Sequence, residues 1–333
     1  MTKFIHIPLN YDFNKIDGAY LRSMQIKGLL DDAIEINPYI KTIKCYDIYV
    51  LLLFLIKPLF LIKVIKIYFL YGNSFMEFLK LSLIAARVEN FIKNDLDIEV
   101  HCEVGIGLAR LLSFYLILTR PQCLTLHLHN VEFLAQISTS SSDYRRQKRL
   151  FSLELQLVSR AKKVTTISKF DKSIIDTLRK DSETEYIPFE DYRIIDKQYL
   201  RQQEFGNYYL VVGSMNNPPS FASTSLLIEK IPENIKLHIL GSNSDNLPDK
   251  DNIQTYGRVT DEDLNLQISR CKAIILYQHP TSGFLTRLVF LKKFQKKIFI
   301  NSSYSQAMEI KDENILLYSS FNELRTMLEN AHV

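Results

Sequence analysis

The chain has 333 residues, a formal net charge of +4 and four cysteines. Its length accommodates two domains with sizeable cores. A charge balance this mild, with no basic stripe interleaved with aromatic residues, gives no support for a nucleic-acid partner. The cysteines are scattered without a CxxC pair or metal-ligand spacing, which predicts free thiols, a reducing compartment and no metal site. Because the N-terminus lacks the apolar core of a signal peptide, we expect a cytoplasmic globular protein.

Strands and helices alternate through the first half of the chain, which predicts a domain built on a parallel sheet. Residues 4–8 form a predicted strand, a polar loop extends to Gly18, and residues 19–30 have helical spacing. Gly105 and Gly107 begin a possible GxGxxG fingerprint, but Arg110 stands where the third glycine would be. A dinucleotide site is therefore not supported. Further strands are predicted at 97–103, 123–129 and 161–168, and further helices at 105–119, 145–160 and from residue 169.

Residues 46–71 are the most apolar stretch of the chain, and they carry Lys57, Lys63 and Lys66. Their longest charge-free run is far shorter than the ~20 residues that a spanning helix needs. Two interpretations are open at this point. One is a basic, apolar helix that lies on an anionic membrane surface. The other is a pair of helices buried within the first domain.

A polar stretch, residues 183–206, separates the halves and is interpreted as the linker between domains at residues 1–200 and 201–333. The second half again alternates strands and helices, so a second parallel sheet is expected. Because ligands bind at the carboxyl ends of parallel strands, the expected site is a cleft between the domains. Strands are predicted at 208–213, 236–241, 253–257, 273–277, 298–301 and 315–318, and helices at 221–231, from 260, from 285 and at 321–330.

The unit at residues 273–301 predicts an anion site. An apolar strand leads into a loop with Ser282 and Gly283, then a helix containing Arg287, then a second strand. Free backbone N–H groups at a helix start bind anions, and Arg287 adds a planar fork suited to a phosphate. An ordinary capped helix is the alternative explanation of the same residues.

The order of these pieces resembles that of GT-B glycosyltransferases, specifically the GT4-like group of bacterial retaining enzymes. The resemblance covers most of the chain and is best from about residue 124 onward. Each matching stretch is short, but their order and spacing together identify the fold. They are His129-Asn130-Val131-Glu132, residues 161–168, residues 209–213 with Asn217-Pro218-Pro219, residues 237–241, residues 256–261 and residues 282–287.

The resemblance implies an α/β fold of two Rossmann-like parallel-sheet domains that face each other across a cleft. It implies a hexosyltransferase that moves a sugar from a UDP- or GDP-linked donor to a glycan or lipid-linked acceptor, in the synthesis of a surface polysaccharide such as lipopolysaccharide or capsule. Retention at the anomeric carbon follows from the resemblance alone. Because Arg287 and the N–H groups of a helix start can neutralise the departing diphosphate, metal-independent transfer is expected, with no cofactor besides the donor substrate. The apolar 46–71 stretch suits a peripheral enzyme at the cytoplasmic membrane face.

The resemblance also assigns residues. His129 contacts the transferred sugar near the reacting carbon, Glu132 orients His129 or the acceptor, and Arg287 neutralises the departing diphosphate. From the residues alone, a structural role for His129 and a helix-capping role for Glu132 stay open. The implied donor-binding residues are Gly18, Gly213, Ser214, Tyr256, Gly257, Arg258, Thr281, Ser282, Gly283 and Phe284.

The unit at residues 273–301 departs from the pattern of the resemblance at two positions. The family carries carboxylates just before the glycine and eight residues later, where this chain has Ser282 and Phe290. Phenylalanine cannot accept the hydrogen bonds of a donor ribose. The departure motivates an alternative function, a GT-B-shaped accessory or binding subunit without turnover.

Overall fold

The structure is a computed structural model that describes residues 3–9, 18–37, 45–55, 57–71, 75–92, 97–104, 108–131, 134, 144–179, 184–200, 206–216, 218–278, 283–307, 309 and 311–330. The described residues form two compact units. One lies within Met1–Phe133 and Asp143–Glu190, and the other within Leu134–Ser142 and Asp191–Val333. Each unit contains a six-stranded sheet, and all neighbouring strands pair in parallel.

The sheet of the first unit has the strand order β2-β1-β3-β4-β5-β6. Its strands are β1 (Lys3–Ile7), β2 (Ile34–Glu35), β3 (Ile98–Val104), β4 (Leu124–Leu128), β5 (Lys163–Thr166) and β6 (Thr184–Tyr186). The helices of this unit are α1 (Gly18–Gly28), α2 (Cys45–Leu55), α3 (Pro58–Tyr71), α4 (Phe75–Ile92), α5 (Leu108–Thr119), α6 (Tyr144–Arg160) and α7 (Lys169–Leu178). The strand order reverses between β1 and β3, where ligand crevices form in open parallel sheets.

The second unit begins with the short helix α8 (Lys197–Leu200), and its sheet has the order β12-β11-β10-β7-β8-β9. Its strands are β7 (Tyr209–Val212), β8 (Leu237–Leu240), β9 (Ile253–Thr255), β10 (Ile274–Leu276), β11 (Ile298–Asn301) and β12 (Ile315–Tyr318). The other helices are α9 (Pro218–Lys230), α10 (Asp261–Arg270), α11 (Thr286–Lys292) and α12 (Phe321–Asn330). The order reverses between β7 and β10.

Both faces of the second sheet are covered. Ile275 of β10 belongs to one cluster of buried residues, while its neighbours Ile274 and Leu276 belong to the other. Strands buried on both faces read as continuous apolar runs rather than alternating ones. This is why the sequence of β10 predicts a buried strand. The expected N-cap of α10 is also confirmed, because the Thr260 side chain accepts a hydrogen bond from the Asp263 N–H at 3.1 Å.

Two features of the first unit differ from the sequence-based expectation. The stretch at 183–206, interpreted as linker, contributes β6 as the outer strand of the first sheet. Its polar sequence is compatible with a strand because an edge strand pairs on one side only. The second feature is α4, which the periodicity did not predict. Residues 81–86 are buried at every position, so this helix has no polar stripe there to show the helical period.

The 46–71 stretch forms a pair of helices, α2 and α3, as one of the two interpretations expected, but the pair is buried on one side only. Phe54, Phe60, Val64 and Ile67 are buried, and the pair packs against α4 and α5. In the part of the chain that the structure describes, no helix is long and apolar enough to cross a membrane.

Candidate functional site

The carboxyl ends of β7 and β10 meet at the point where the strand order of the second sheet reverses. Gly213 follows β7, and its N–H donates to the Leu240 carbonyl at the end of β8 at 3.0 Å. Gln278 follows β10 and is buried. Backbone that is no longer needed for the ladder becomes available to a ligand at such an edge.

Arg287 reaches this edge from the first turn of α11. Its Nη2 donates to the Gln278 side-chain oxygen at 3.2 Å, and its Nη1 lies so close to Gly213 that a β-carbon there would overlap it. The buried Nε has no hydrogen-bond partner among the described residues, and no carboxylate among them pairs with the guanidinium. Burial lowers the pKa of Arg287, and Tyr304 opposes that shift. A cation without a counter-charge at a strand edge suits an anionic ligand.

Gln278 is itself fixed by the neighbouring strand. Its N–H donates to the side-chain oxygen of Asn301 at 2.9 Å, and the Asn301 amide returns a hydrogen bond to the Gln278 carbonyl at 2.8 Å. Asn301 also donates to the Ser303 hydroxyl at 2.6 Å. Sequence reasoning missed Gln278 and Asn301, although both are polar residues at the carboxyl ends of adjacent apolar strands.

Three glycines let the loops after β7, β8 and β9 meet. Gly241 has a φ of 143° and Gly257 a φ of 63°, a region that favours glycine. The Gly241 N–H donates to the Gly257 carbonyl at 2.9 Å, and the Gly257 N–H donates to the Ser244 hydroxyl at 2.9 Å. A β-carbon at 241 would overlap the carbonyl of Gly213. Gly213 and Gly257, two of the predicted donor residues, are therefore joined through Gly241.

The remaining predicted donor residues of the second unit fall into four groups. Ser214 and Arg258 are exposed beside these loops. Tyr256 turns its ring back along β9, where its hydroxyl lies 3.1 Å from Nδ1 of His238, so only its backbone faces the loops. Gly283 is buried with a φ of 87°, and Phe284 is half-buried next to it. Thr281 and Ser282 lie outside the described residues.

The helix expected to begin at the Thr-Ser-Gly loop starts three residues after Gly283, at Thr286. Its N-cap residue is Leu285, which makes no side-chain capping hydrogen bond. The alternative explanation, an ordinary capped helix, is therefore wrong, because no side chain among the described residues caps the start of α11. The positive group at this edge is the Arg287 side chain.

Phe290 lies in the hydrophobic core of the second unit. It is 6% exposed, packs edge-on against Phe294 with ring centroids 5.4 Å apart, and carries the guanidinium of Arg193 at 3.9 Å from its ring centre. Arg193 in turn pairs with the buried carboxylate of Asp191. The departure at position 290 is therefore part of the packing of this unit.

In the first unit, His129 is anchored at the carboxyl edge of the sheet by Glu103 of β3. Its Nε2 lies 2.8 Å from Glu103 Oε2. The same carboxylate accepts hydrogen bonds from Nε2 of His6 at 2.7 Å, the Ser23 hydroxyl at 2.6 Å and the Leu9 N–H at 3.3 Å. Burial raises the pKa of Glu103, but the hydrogen bonds from His129 and His6 lower it by more, so it lies well below its usual range.

A second polar layer lies two residues N-terminal to Glu103 and His129, on the same side of the sheet. His101 and His127 are joined between Nδ1 and Nε2 at 3.0 Å, and His127 Nδ1 lies 2.8 Å from the Thr165 hydroxyl. Burial lowers the pKa of His101 to about 4 against an opposing effect of Glu99. Burial and the neighbouring His101 lower the pKa of His127 well below its usual value. Both rings are neutral near pH 7.

Sequence reasoning assigned the orienting role to Glu132, which lies outside the described residues, and missed Glu103 and His6. The signal for Glu103 was the spacing of His101 and Glu103, two residues apart on an apolar strand and thus on one face. Gly18 begins α1, as expected. Among the described residues, no group of three or more His, Cys, Asp or Glu side chains could hold a metal ion.

In sequence, the chain matches no protein-family profile and no curated protein. In structure, it is similar to Anabaena HepE in complex with UDP-glucose, with a TM-score of 0.62 and 12% identity over 100% of this chain and 90% of that one. It is also similar to a UDP-forming trehalose-phosphate synthase from Burkholderia vietnamiensis, with a TM-score of 0.60 and 9% identity over 100% and 91%. Sucrose-phosphate synthase from Thermosynechococcus elongatus matches with a TM-score of 0.56 and 14% identity over 75% and 68%. The chain therefore has the GT-B glycosyltransferase fold, as the sequence predicted.

Proposed function

We propose that the protein is a glycosyltransferase that binds a nucleoside diphosphate sugar at the Gly213–Arg287 edge and transfers the sugar to a hydroxyl group. The observation that carries this proposal is the partly buried guanidinium of Arg287, which pairs with no carboxylate in the described chain. A diphosphate supplies the missing charge. The structural neighbours include a protein in complex with UDP-glucose, which supports a nucleotide-sugar donor, UDP- or GDP-linked.

The chemistry required of the site is charge stabilisation. The bond between the anomeric carbon and the diphosphate oxygen breaks, and its electron pair stays on the diphosphate. The acceptor oxygen bonds to the anomeric carbon, and its proton passes to the released diphosphate. Arg287, held by Gln278, offers its remaining N–H groups to the leaving oxygens. We propose that the transfer proceeds without a metal ion and with retention, and that His129 contacts the sugar.

The proposed donor contacts follow the loop ends. Backbone groups of Gly213, Ser214, Tyr256 and Gly257 border the edge, and Arg258 is exposed beside them. The roles of Gly18, Glu132, Thr281, Ser282, Gly283 and Phe284 stay predictions. Since Phe290 is a core residue, the ribose hydroxyls bind to some other group.

We further propose that the acceptor is a glycan or lipid-linked molecule in surface polysaccharide synthesis, reached at an anionic membrane face. The outer faces of α2 and α3 support this, because they expose large apolar side chains with Lys57 and Lys66 beside them. Leu59 is 73% exposed. The other exposed apolar side chains of these two helices are Ile48, Tyr49, Leu52 and Ile62.

A thermal-shift panel of UDP-, GDP-, CMP- and dTDP-sugars tests the donor site. A ligand at about 100 times its dissociation constant stabilises the folded state by about 2.7 kcal/mol, so one sugar nucleotide should raise the melting temperature. Arg287→Ala should abolish the shift, and Arg287→Lys should restore it only in part, because lysine lacks the planar fork. Arg325→Ala, which removes an exposed arginine of α12, is the matched control. A flat response of the wild type to the whole panel would contradict the proposal.

The accessory-subunit alternative makes a different prediction in the same experiment. A subunit without turnover could bind the donor, but purified protein would neither hydrolyse the sugar nucleotide nor transfer from it. If the wild type turns over a sugar nucleotide and Arg287→Ala does not, the protein is an enzyme and the accessory-subunit alternative is excluded.

A further inference from the structure

The carboxylate of Glu103 is fully buried, and the hydrogen-bonding partners that it has among the described residues are all donors. Oε1 accepts from His6, and Oε2 accepts from His129, from Ser23 and from the Leu9 N–H. These groups come from β1, from α1 and from the end of β4, so the carboxylate is held from three sides. With both oxygens occupied, it cannot rotate without breaking several charge-assisted hydrogen bonds.

This geometry fixes which nitrogen of His129 carries the proton. An ionised carboxylate only accepts hydrogen bonds, so Nε2 of His129 has to be the donor. In the neutral imidazole Nδ1 then keeps its lone pair. Within the described residues Nδ1 has no hydrogen-bond partner, and the side chain remains 12% exposed at the carboxyl edge of the sheet. His129 therefore presents an acceptor, not a donor, to any ligand at this edge.

We infer that Glu103 is a positioning residue that holds His129 in the Nε2–H tautomer, so that Nδ1 accepts a hydrogen bond from a hydroxyl group of the bound ligand. The identity of that ligand, a sugar donor or its acceptor, rests on the proposed function. The assignment of the His129 tautomer does not rest on the proposed function, because it follows from the four contacts of Glu103 alone. His6 and Ser23 act through Glu103 by holding the carboxylate in place.

The tautomer can be measured in the full chain without any ligand. Nitrogen-15 NMR of the side chains, at about pH 8, distinguishes protonated from unprotonated ring nitrogens. The chain has seven histidines, and the signals of His129 are those lost in His129→Gln. We expect a protonated Nε2 and an unprotonated Nδ1. A protonated Nδ1 would overturn the inference.

Glu103→Gln tests the positioning role. An amide offers one accepting and one donating atom, so it cannot accept from both histidines, and the uniform Nε2–H state of His129 should be lost. We expect kcat to fall about 10-fold or more, with a smaller change in KM for the donor. Glu99→Gln is the matched control, because it makes the same change on the same face of β3 at its other end. It should preserve both the His129 tautomer and kcat.

The outcomes separate this inference from the proposed function. If the panel of sugar nucleotides gives no response but His129 shows the Nε2–H tautomer, the donor proposal fails and the role of Glu103 stands. If the donor binds but Glu103→Gln leaves tautomer and kcat unchanged, the role of Glu103 fails. Should Glu103→Gln not fold, the wild-type spectrum alone decides.

Discussion

Arg287 occupies the space that a side chain at position 213 would need. Its Nη1 lies over the α-carbon of Gly213 at the end of β7, and a β-carbon there would overlap it. The overlapped atom is the far end of a flexible side chain, so Gly213→Ala should displace the guanidinium rather than unfold the protein. We expect donor affinity to fall about as far as in Arg287→Ala. The measurement is the thermal shift with the best sugar nucleotide.

A matched glycine substitution serves as the control for that experiment. Gly28 ends α1, and a β-carbon there meets nothing within 4 Å. Gly28→Ala should leave the donor-induced shift intact. An unchanged shift in Gly213→Ala as well would contradict the placement of Arg287.

Gly241 should be far less tolerant than Gly213. Its φ of 143° is unfavourable for other residues, and a β-carbon would meet the backbone carbonyl of Gly213, which cannot swing away. Gly241→Ala should therefore lower the free energy of unfolding by about 2 kcal/mol or more, as measured by urea denaturation. Gly257→Asn is the comparison, since asparagine tolerates a φ near 63°. Equal losses from the two substitutions would rule out the overlap as the cause.

Acid should destabilise the first unit before the carboxylates titrate. The folded-state pKa of His101 is depressed to about 4, and that of His127 is depressed as well, while unfolded histidine has a pKa near 6.5. Between these folded and unfolded pKa values the unfolded chain binds more protons than the folded chain. The free energy of unfolding is therefore highest above about pH 6.5 and falls as the pH is lowered. Each histidine should contribute a loss of about 1 kcal/mol between pH 6 and pH 5.

The variant His101→Gln isolates this contribution. It retains a group that can bond to His127 but does not titrate. Urea denaturation at several pH values should give a shallower decline in the variant than in the wild type. Parallel declines would show that His101 is not buried in its neutral form.

The exposed faces of α2 and α3 predict membrane binding that depends on both charge and apolar area. Lys57 and Lys66 should each contribute about 1 kcal/mol on an anionic surface. Replacing both lysines with glutamine should weaken co-sedimentation with vesicles containing phosphatidylserine by roughly 30-fold, and replacing both with glutamate should weaken it further. Neutral vesicles should bind the wild type weakly.

The apolar contribution has its own variant and control. Leu59→Glu should reduce vesicle binding, because Leu59 is 73% exposed on α3. Ile194→Glu changes a residue of the second unit that is 95% exposed and should have no effect. If the two variants behave alike, the helix pair is not the contact surface.

The alternation of apolar runs and helical segments was enough to predict both sheets. Continuous apolar runs such as β10 and β11, bounded by polar residues, marked the strands of the second unit. The periodicity failed where an element lacks contrast between its faces, as in α4, and where an edge strand is polar, as in β6. Both failures have the same cause, because a hydrophobic pattern needs one buried and one exposed face. Residues 81–86 of α4 are all buried, and β6 is a polar strand at the edge of its sheet.

The candidate sites were partly predictable for a different reason. Gly213 and Arg287 could be singled out from the order of the motifs, but their contact depends on the reversal of strand order that places β7 beside β10. Glu103 could not be connected to His6 from the sequence, since 97 residues separate them. Only the parallel register that sets His6 opposite His101 brings the ends of β1 and β3 together.

The buried carboxylate of Glu103 constrains the order in which the first unit can fold. Its partners lie 97, 80 and 26 residues away along the chain, so no short fragment can satisfy the charge. A partly folded intermediate that docks β3 without β1 and α1 would bury an ionised group with few donors, which costs several kcal/mol. We therefore expect the strands around Glu103 to form late and together, and hydrogen exchange at β1, β3 and β4 to report a single opening event.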